Sequence, residues 1–219
     1  MIYEKNKKEN RKNFQLETDK IIKELNGEKP RLLLHACCAP CSSASLEYLS
    51  EHFRVDVFFY NPNISDGQEF SKRLGELERF LKEAPFAAGI NVTAPEYRHS
   101  EFLEAAAGLE SAAEGGERCE KCFMLRLERT AKQAKKLGYE YFATTLTISP
   151  LKSPDLINAC GGKAAESAGV LYLPTDLKKR GRYQRSIELS KKYSLYRQNY
   201  CGCEFSKAAA EKNSLKEKE

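Results

Sequence analysis

The sequence predicts an α/β fold in which a largely parallel sheet is covered by helices on both faces. Two observations carry this. Short apolar runs of strand length alternate along the chain with longer segments whose apolar residues recur at helical spacing. The first of these runs, RLLLHAC, lacks polar alternation, as expected of a strand buried on both sides. A length of 219 residues and an apolar content of 41% suit one such core with small appendages.

Residues 14–26 carry Phe14, Leu16, Ile21, Ile22 and Leu25 as the apolar face of a helix ahead of the sheet. RLLLHAC is the first strand. The helix after it holds Pro40, Cys41, Ser42 and Ser43 in its first turn, where a proline needs no N–H partner. RVDVFFYNPN is the second strand, followed by a helix over SDGQEFSKRLGELERFLKEA with Ser65 as its N-cap. INVTAPEY is the third strand, residues 100–110 are helical, and AEGGER is a glycine turn opening onto a helix from Cys119 to about Leu137. YEYFATTLT is the fourth strand, SPDLINACGGKAAESA a helix and VLYLP the fifth strand. A helix from residue 184 leads to YCGCEFS, and KAAAEKNSLKEKE reads as a solvated tail. The expected organisation is an N-terminal helical extension over 1–29, an α/β metal-binding catalytic domain over 30–207 and a charged tail over 208–219.

No window approaches eighteen consecutive apolar residues, and the opening MIYEKNKKENRKN is polar, so a cytoplasmic chain without membrane contact is expected. A net charge of +5 permits a polyanionic partner without requiring one.

The cysteines say more. Of eight, seven fall into three tight groups: Cys37, Cys38 and Cys41 (CCxxC), Cys119 and Cys122 (CxxC), and Cys201 and Cys203 (CxC). Bridges that staple a chain join distant segments, whereas a thiolate-ligated metal needs several sulfurs delivered from local turns. The first group stands at the carboxyl end of strand one, where open α/β sheets bind their ligands, and no GxGxxG, Walker A or SGGxDS-like loop is present. A helix N-terminus there favours thiolates as it would a phosphate. The CxxC pair shares one helix face while Phe123, Leu127, Thr130, Ala131 and Ala134 form the packing stripe, and Gly202 lets the CxC turn approach closely. Seven thiolates exceed one tetrahedral site. With the side chains of Cys37 and Cys38 expected to diverge, two metal centres follow, with the CCxxC group between them. Cys160 lies alone in a helix and reads as a core residue, as does His35 within strand one.

Before the third group, LKKRGRYQRSIELSKKYSLYRQNYCGC interleaves cations with tyrosines. Lys179, Arg180, Arg182, Tyr183 and Arg185 are candidates for phosphates and splayed bases of a single-stranded RNA loop. The competing reading is a solvated helix face with core tyrosines.

LLLHACCAPCSS, FYNPNI, EFSKRLGELERF, GLESAAEGGERCEKCF, LRLERTAKQAKKLGYEYFATTLTISPLKS and TDLKKRGRYQRSIELSKKYSLYRQNYCGCEFS, in this order from about residue 13 to 207, together resemble the epoxyqueuosine reductase QueH family. The resemblance implies a fold related to the adenine nucleotide α-hydrolases. It implies reduction of the epoxide of epoxyqueuosine at the wobble position of a transfer RNA, the last step of queuosine synthesis. It also implies a [4Fe-4S] cluster beside a mononuclear metal, iron by the same resemblance, with no cobalamin. The partners so implied are the modified transfer RNA and an electron donor that the sequence does not name. The chain departs from the family pattern where Tyr97, Arg98 and His99 replace an expected Tyr-Asp pair, where Leu151 stands in place of a histidine, and at Cys41, which some members replace with Asp.

Turning an epoxide into an alkene takes two electrons and two protons and releases water. On this reading Cys37, Cys38 and Cys41 serve mainly the mononuclear ion, and Cys119, Cys122, Cys201 and Cys203 mainly the cluster, with Cys37 or Cys38 open to either. Tyr200 and Arg197 are the candidates for proton donor and substrate clamp. Tyr60, Asn61, Asn63, Thr144, Thr145, Thr147 and Ser149 close the second and fourth strands near the same edge as weaker candidates. Two rivals are a structural zinc module that binds RNA and a tRNA sulfur-transfer enzyme carrying persulfide, the latter disfavoured by the missing activation loop.

Overall fold

In the computed structural model, which describes residues 12–216, five parallel strands stand in the order β3-β2-β1-β4-β5. They are β1 (Arg31–His35), β2 (Arg54–Phe58), β3 (Val92–Thr93), β4 (Tyr141–Thr144) and β5 (Leu171–Tyr172). Eight helices accompany them: α1 (Phe14–Glu24), α2 (Ala39–Leu49), α3 (Gly67–Glu83), α4 (His99–Ala106), α5 (Glu117–Lys136), α6 (Pro154–Ala168), α7 (Arg182–Lys192) and α8 (Glu204–Lys216). None of them is long and apolar enough to cross a membrane.

The unbroken leucine run of β1 is explained by its central place. Leu32 and Leu34 join Val55 and Val57 on one face, against α2, α3 and the half-buried Ile21, Ile22 and Leu25 of α1. Leu33 turns to the opposite face with Phe58 and Phe142, where Phe123, Leu127 and Ala131 of α5 and Ile157, Cys160 and Ala164 of α6 cover it. Cys160 is thus a core side chain. Gly161 is required for this layer, because a Cβ there would sit 2.2 Å from the Tyr172 ring.

The strand order reverses between β1 and β4, which pair in parallel from Leu32↔Tyr141 to His35↔Thr144. This is the switch point at whose carboxyl side doubly wound sheets leave a crevice.

Several elements differ from the sequence expectation. Leu16 is 60% exposed, leaving Phe14, Ile21, Ile22 and Leu25 to seat α1. Asp66, not Ser65, caps α3, its carboxylate accepting the Gln68 N–H at 2.8 Å. Only two residues of the third and two of the fifth apolar run pair as strands, because these are the sheet edges. The fourth strand stops at Thr144, whose hydroxyl accepts the Leu146 N–H and turns the chain into a 3-10 segment over Thr145–Ile148. Of the stretch expected as a solvated tail from residue 207, residues 207–216 continue α8, and the rest lies outside the described residues.

Candidate metal centre

β1 delivers the chain to the crevice, and Cys38 takes an extended conformation (φ −172°, ψ 164°) as N-cap of α2, with proline in the first turn behind it. That geometry reverses the expected divergence of the neighbouring side chains. Cys37 and Cys38 hold their sulfurs 3.8 Å apart, and the Sγ atoms of Cys37, Cys38 and Cys41 all lie within 4.8 Å of one another. The edge of a tetrahedron with metal–sulfur bonds of about 2.3 Å is itself about 3.8 Å.

The other two groups reach the same place from other elements. Gly116 opens α5, so Cys119 sits in its first turn and Cys122 one turn on, with the Gly115 N–H donating to the Cys119 sulfur at 3.2 Å. Arg118 pins the preceding glycine turn by donating to the carbonyls of Leu109, Glu110 and Ala112. The CxC turn closes between α7 and α8 with the Cys201 and Cys203 sulfurs 3.5 Å apart. Gly202 stands there at φ +124°, and a Cβ would meet Ile64 at 2.9 Å and Asn63 at 3.3 Å. Only glycine lets the turn lie this close.

One cavity of about 510 Å³ is lined by Cys37, Cys41, Cys119, Cys122, Cys201 and Cys203, with Cys38 buried beneath. Its walls also hold Arg73, Arg126, Lys152, Tyr183, Arg197 and Tyr200. All the cysteines are free thiols.

The electrostatics fit an anionic sulfur site. Hydrogen bonds from Cys38 and Cys41 hold the Cys37 thiol well below its ordinary value, helped by Arg126 and Lys152 against the effect of burial. The same sharing pushes Cys38 up to about 12. Cys201 is likewise held low by Cys203, with Lys152 and Ser206 assisting. Burial pushes Cys119 up and Cys122 to about 11.

Two cation sites were not legible in the sequence. Arg126 of α5 is 2% exposed and donates to Asn61 Oδ1 at 2.6 Å, His35 Nε2 at 3.3 Å and the Cys122 sulfur at 3.9 Å. No carboxylate among the described residues forms an ion pair with it. Arg73 of α3 is 1% exposed, bonds Glu69 at 2.7 Å and the Cys201 carbonyl at 3.2 Å, and leaves its buried Nη2 without a partner. Gln198 Oε1, in the same cavity wall, is also buried and unpartnered. Converging thiols, orphaned polar atoms and a buried cation facing sulfur together suit a metal–sulfur group, for which the seven cysteines are the ligand candidates.

The remaining candidates separate. Tyr200 and Arg197 line the cavity, and Arg197 donates Nη1 to Ser190 at 3.0 Å. His35 is fully buried, with Nδ1 2.9 Å from the Thr144 hydroxyl. Its Nε2 accepts from Arg126 and so carries no proton for the Tyr60 carbonyl, which lies 3.1 Å away; burial and Arg126 lower its pKa to about 3. It is a neutral core residue. Asn61 and Asn63 support Arg126 and the Cys201 carbonyl from outside the lining, and Tyr60 bonds Glu101. Thr145 approaches the Cys37 sulfur at 3.6 Å, Thr147 bonds Thr175 at 2.8 Å, and Ser149 reaches the cavity wall. The divergent Tyr97 and His99 bond the carbonyls of Ile64 and Pro62, tying α4 to the loop after β2.

Of the proposed RNA-binding residues, Tyr183 faces the cavity and Lys179 is exposed. Arg180 pairs with Asp19, and Arg185 pairs with Glu47 at 2.7 Å and Glu188 at 3.1 Å. Arg182 is buried over the Tyr48 ring at 4.2 Å and bonded to Gln15, which removes it from phosphate contact.

A family model described as Epoxyqueuosine reductase QueH matches residues 32–209 of this chain. The curated protein of that name from Staphylococcus epidermidis is 40% identical over 204 residues, covering 89% of this chain and 86% of its own. Its namesake from Streptococcus pyogenes serotype M1 is 41% identical over 177 residues, covering 80% and 69%. That from Thermotoga maritima is 37% identical over 178 residues, covering 80% and 89%.

Proposed function

The chain belongs to the epoxyqueuosine reductase QueH family, and from that premise we propose that it reduces the epoxide of epoxyqueuosine at the wobble position of transfer RNA, completing queuosine. The observation that carries the chemistry is the meeting of three cysteine groups from remote segments in one cavity. The ligands proposed are Cys37, Cys38 and Cys41 mainly for a mononuclear iron, and Cys119, Cys122, Cys201 and Cys203 mainly for a [4Fe-4S] cluster, without cobalamin. Such a pair of centres supplies single electrons and a Lewis-acid position when bound.

The chain's own residues do the rest. The reaction consumes two electrons and two protons and releases the epoxide oxygen as water, so a proton must be held beside that oxygen. Tyr200 is the proposed holder, at its phenolic oxygen in the cavity wall. Arg197, exposed at the same wall and tethered through Nη1 to Ser190, is the proposed clamp for the substrate's hydroxyls. Tyr183 offers a ring on which a base can stack, and Lys179 a phosphate contact nearby. The apolar cover from Phe102, Phe123, Leu146 and Ile148 limits water in the cavity.

Anaerobic purification followed by absorption spectroscopy and iron, zinc and sulfide analysis tests this reading. About five irons and four sulfides per chain, from one cubane and one ion, together with conversion of epoxyqueuosine-containing transfer RNA under a strong one-electron reductant, is the expected result. A colourless zinc protein without sulfide would leave the family standing and remove the chemistry proposed for it.

A further inference from the structure

Among the groups that face the cavity, Arg126 stands out for what it lacks. Its guanidinium is buried in the layer between α5 and the sheet, and its three partners, Asn61, His35 and the Cys122 sulfur, include no carboxylate. Glu101, the acidic residue that reaches this layer from α4, bonds the Tyr60 hydroxyl instead. A buried charge without a carboxylate costs several kcal/mol unless another anionic group faces it, and a helix stripe already holding Phe123, Leu127 and Ala131 has no packing need for it. Arg126 Nη1 lies 3.9 Å from the Cys122 sulfur of its own helix, and the side chain lines the same cavity as Cys37 from the β1–α2 turn, so its charge faces sulfurs of two groups. Arginine keeps its charge at every working pH.

We propose that Arg126 is a positioning residue for the reduction, a fixed positive charge that raises the reduction potential of the thiolate-bound centre. This rests on the iron–sulfur reading given above. A centre held by Cys122 would gain negative charge on reduction, and a fixed positive charge beside that sulfur would stabilise the reduced state more than the oxidised state. The charge matters here, and the side chain's shape does not.

The test is a potentiometric titration of the anaerobically loaded protein, followed by absorption and electron paramagnetic resonance, for wild type, R126Q, R126K and N61D. R126Q removes the charge and R126K keeps it. N61D keeps the guanidinium and sets a carboxylate where Asn61 Oδ1 now stands, giving up the bond that Asn61 Nδ2 donates to the Ala36 carbonyl at 2.9 Å, a loss that the melting measurement records. Melting of each variant records any loss of stability separately. R126Q and N61D are expected to shift the one-electron equilibrium at least tenfold toward the oxidised form, about 59 mV, while R126K stays near wild type. If R126Q does not load, N61D against R126K carries the comparison. Wild-type potentials in loaded R126Q or N61D, or an R126K as low as R126Q, would overturn the inference alone. A wild-type chain that takes up no sulfide would overturn the iron–sulfur reading first, and the inference with it.

Discussion

The cavity at the carboxyl edge of the sheet and the segment from Lys178 to Arg185 are both rich in cations, but they neutralise them differently. In the segment, Lys178 pairs with Asp176, Arg180 with Asp19 and Arg185 with Glu47 and Glu188, while Arg182 has no carboxylate but is stacked on Tyr48 and bonded to Gln15, away from any sulfur. In the cavity, Arg126 has sulfur and neutral partners, and Arg73, though paired with Glu69, keeps one buried donor free. Cations that find carboxylates within the chain are holding elements together, here α1 and α2 to the start of α7. Cations left facing thiols mark where an anionic group belongs. Charge density alone would have pointed to the segment, and charge balance points to the cavity.

Four measurements test this contrast. The largest effect belongs to the sulfurs. Cys119→Ala is expected to abolish sulfide retention and lower reductase activity by at least about a hundredfold, read by sulfide analysis and a transfer RNA assay. A variant that kept its cluster would move Cys119 out of the ligand set. Gly202→Ala comes next, because it forces a side chain onto a positive φ against Ile64. A loss of about 1–3 kcal/mol in denaturant unfolding, with reduced iron uptake, is expected.

On the other side of the comparison, Arg182→Gln should cost about 1–2 kcal/mol through lost burial and its contact with Tyr48. The salt dependence of transfer RNA affinity should stay unchanged. A shallower slope with unaltered stability would make the segment an RNA contact and erase the distinction drawn here. The smallest effect is expected from exposed Lys179→Gln, with stability unmoved and the salt slope reduced by about one phosphate contact.

What the sequence could disclose follows the range of the interactions involved. The leucine run of β1 and the three cysteine groups are local patterns, and each was legible. The 3.8 Å approach of Cys37 and Cys38 was not, since it depends on the extended backbone of an N-cap that residue types do not specify. Arg126 was invisible inside LRLERTAK, where it reads as one more exposed charge. Its burial is decided by His35 and Asn61, which arrive from the end of β1 and the loop after β2. Edge strands were overextended because an apolar run does not reveal how many neighbours it will find. The helix α8 was missed because KAAAEK looks polar, although alanine, lysine and glutamate are good helix formers.

The CxC turn holds its backbone to the loop after β2, where the Ser65 N–H donates to the Gly202 carbonyl at 3.0 Å and Asn63 and Arg73 grip the Cys201 carbonyl. Those bonds join segments made at widely separated moments of synthesis. Five of the seven clustered sulfurs precede the end of β5, and the pocket has no closing wall without the turn at residues 201–203. The two sulfurs of that turn are thus the last of the seven to be made, and a chain cut short of it would lack one wall of the cavity.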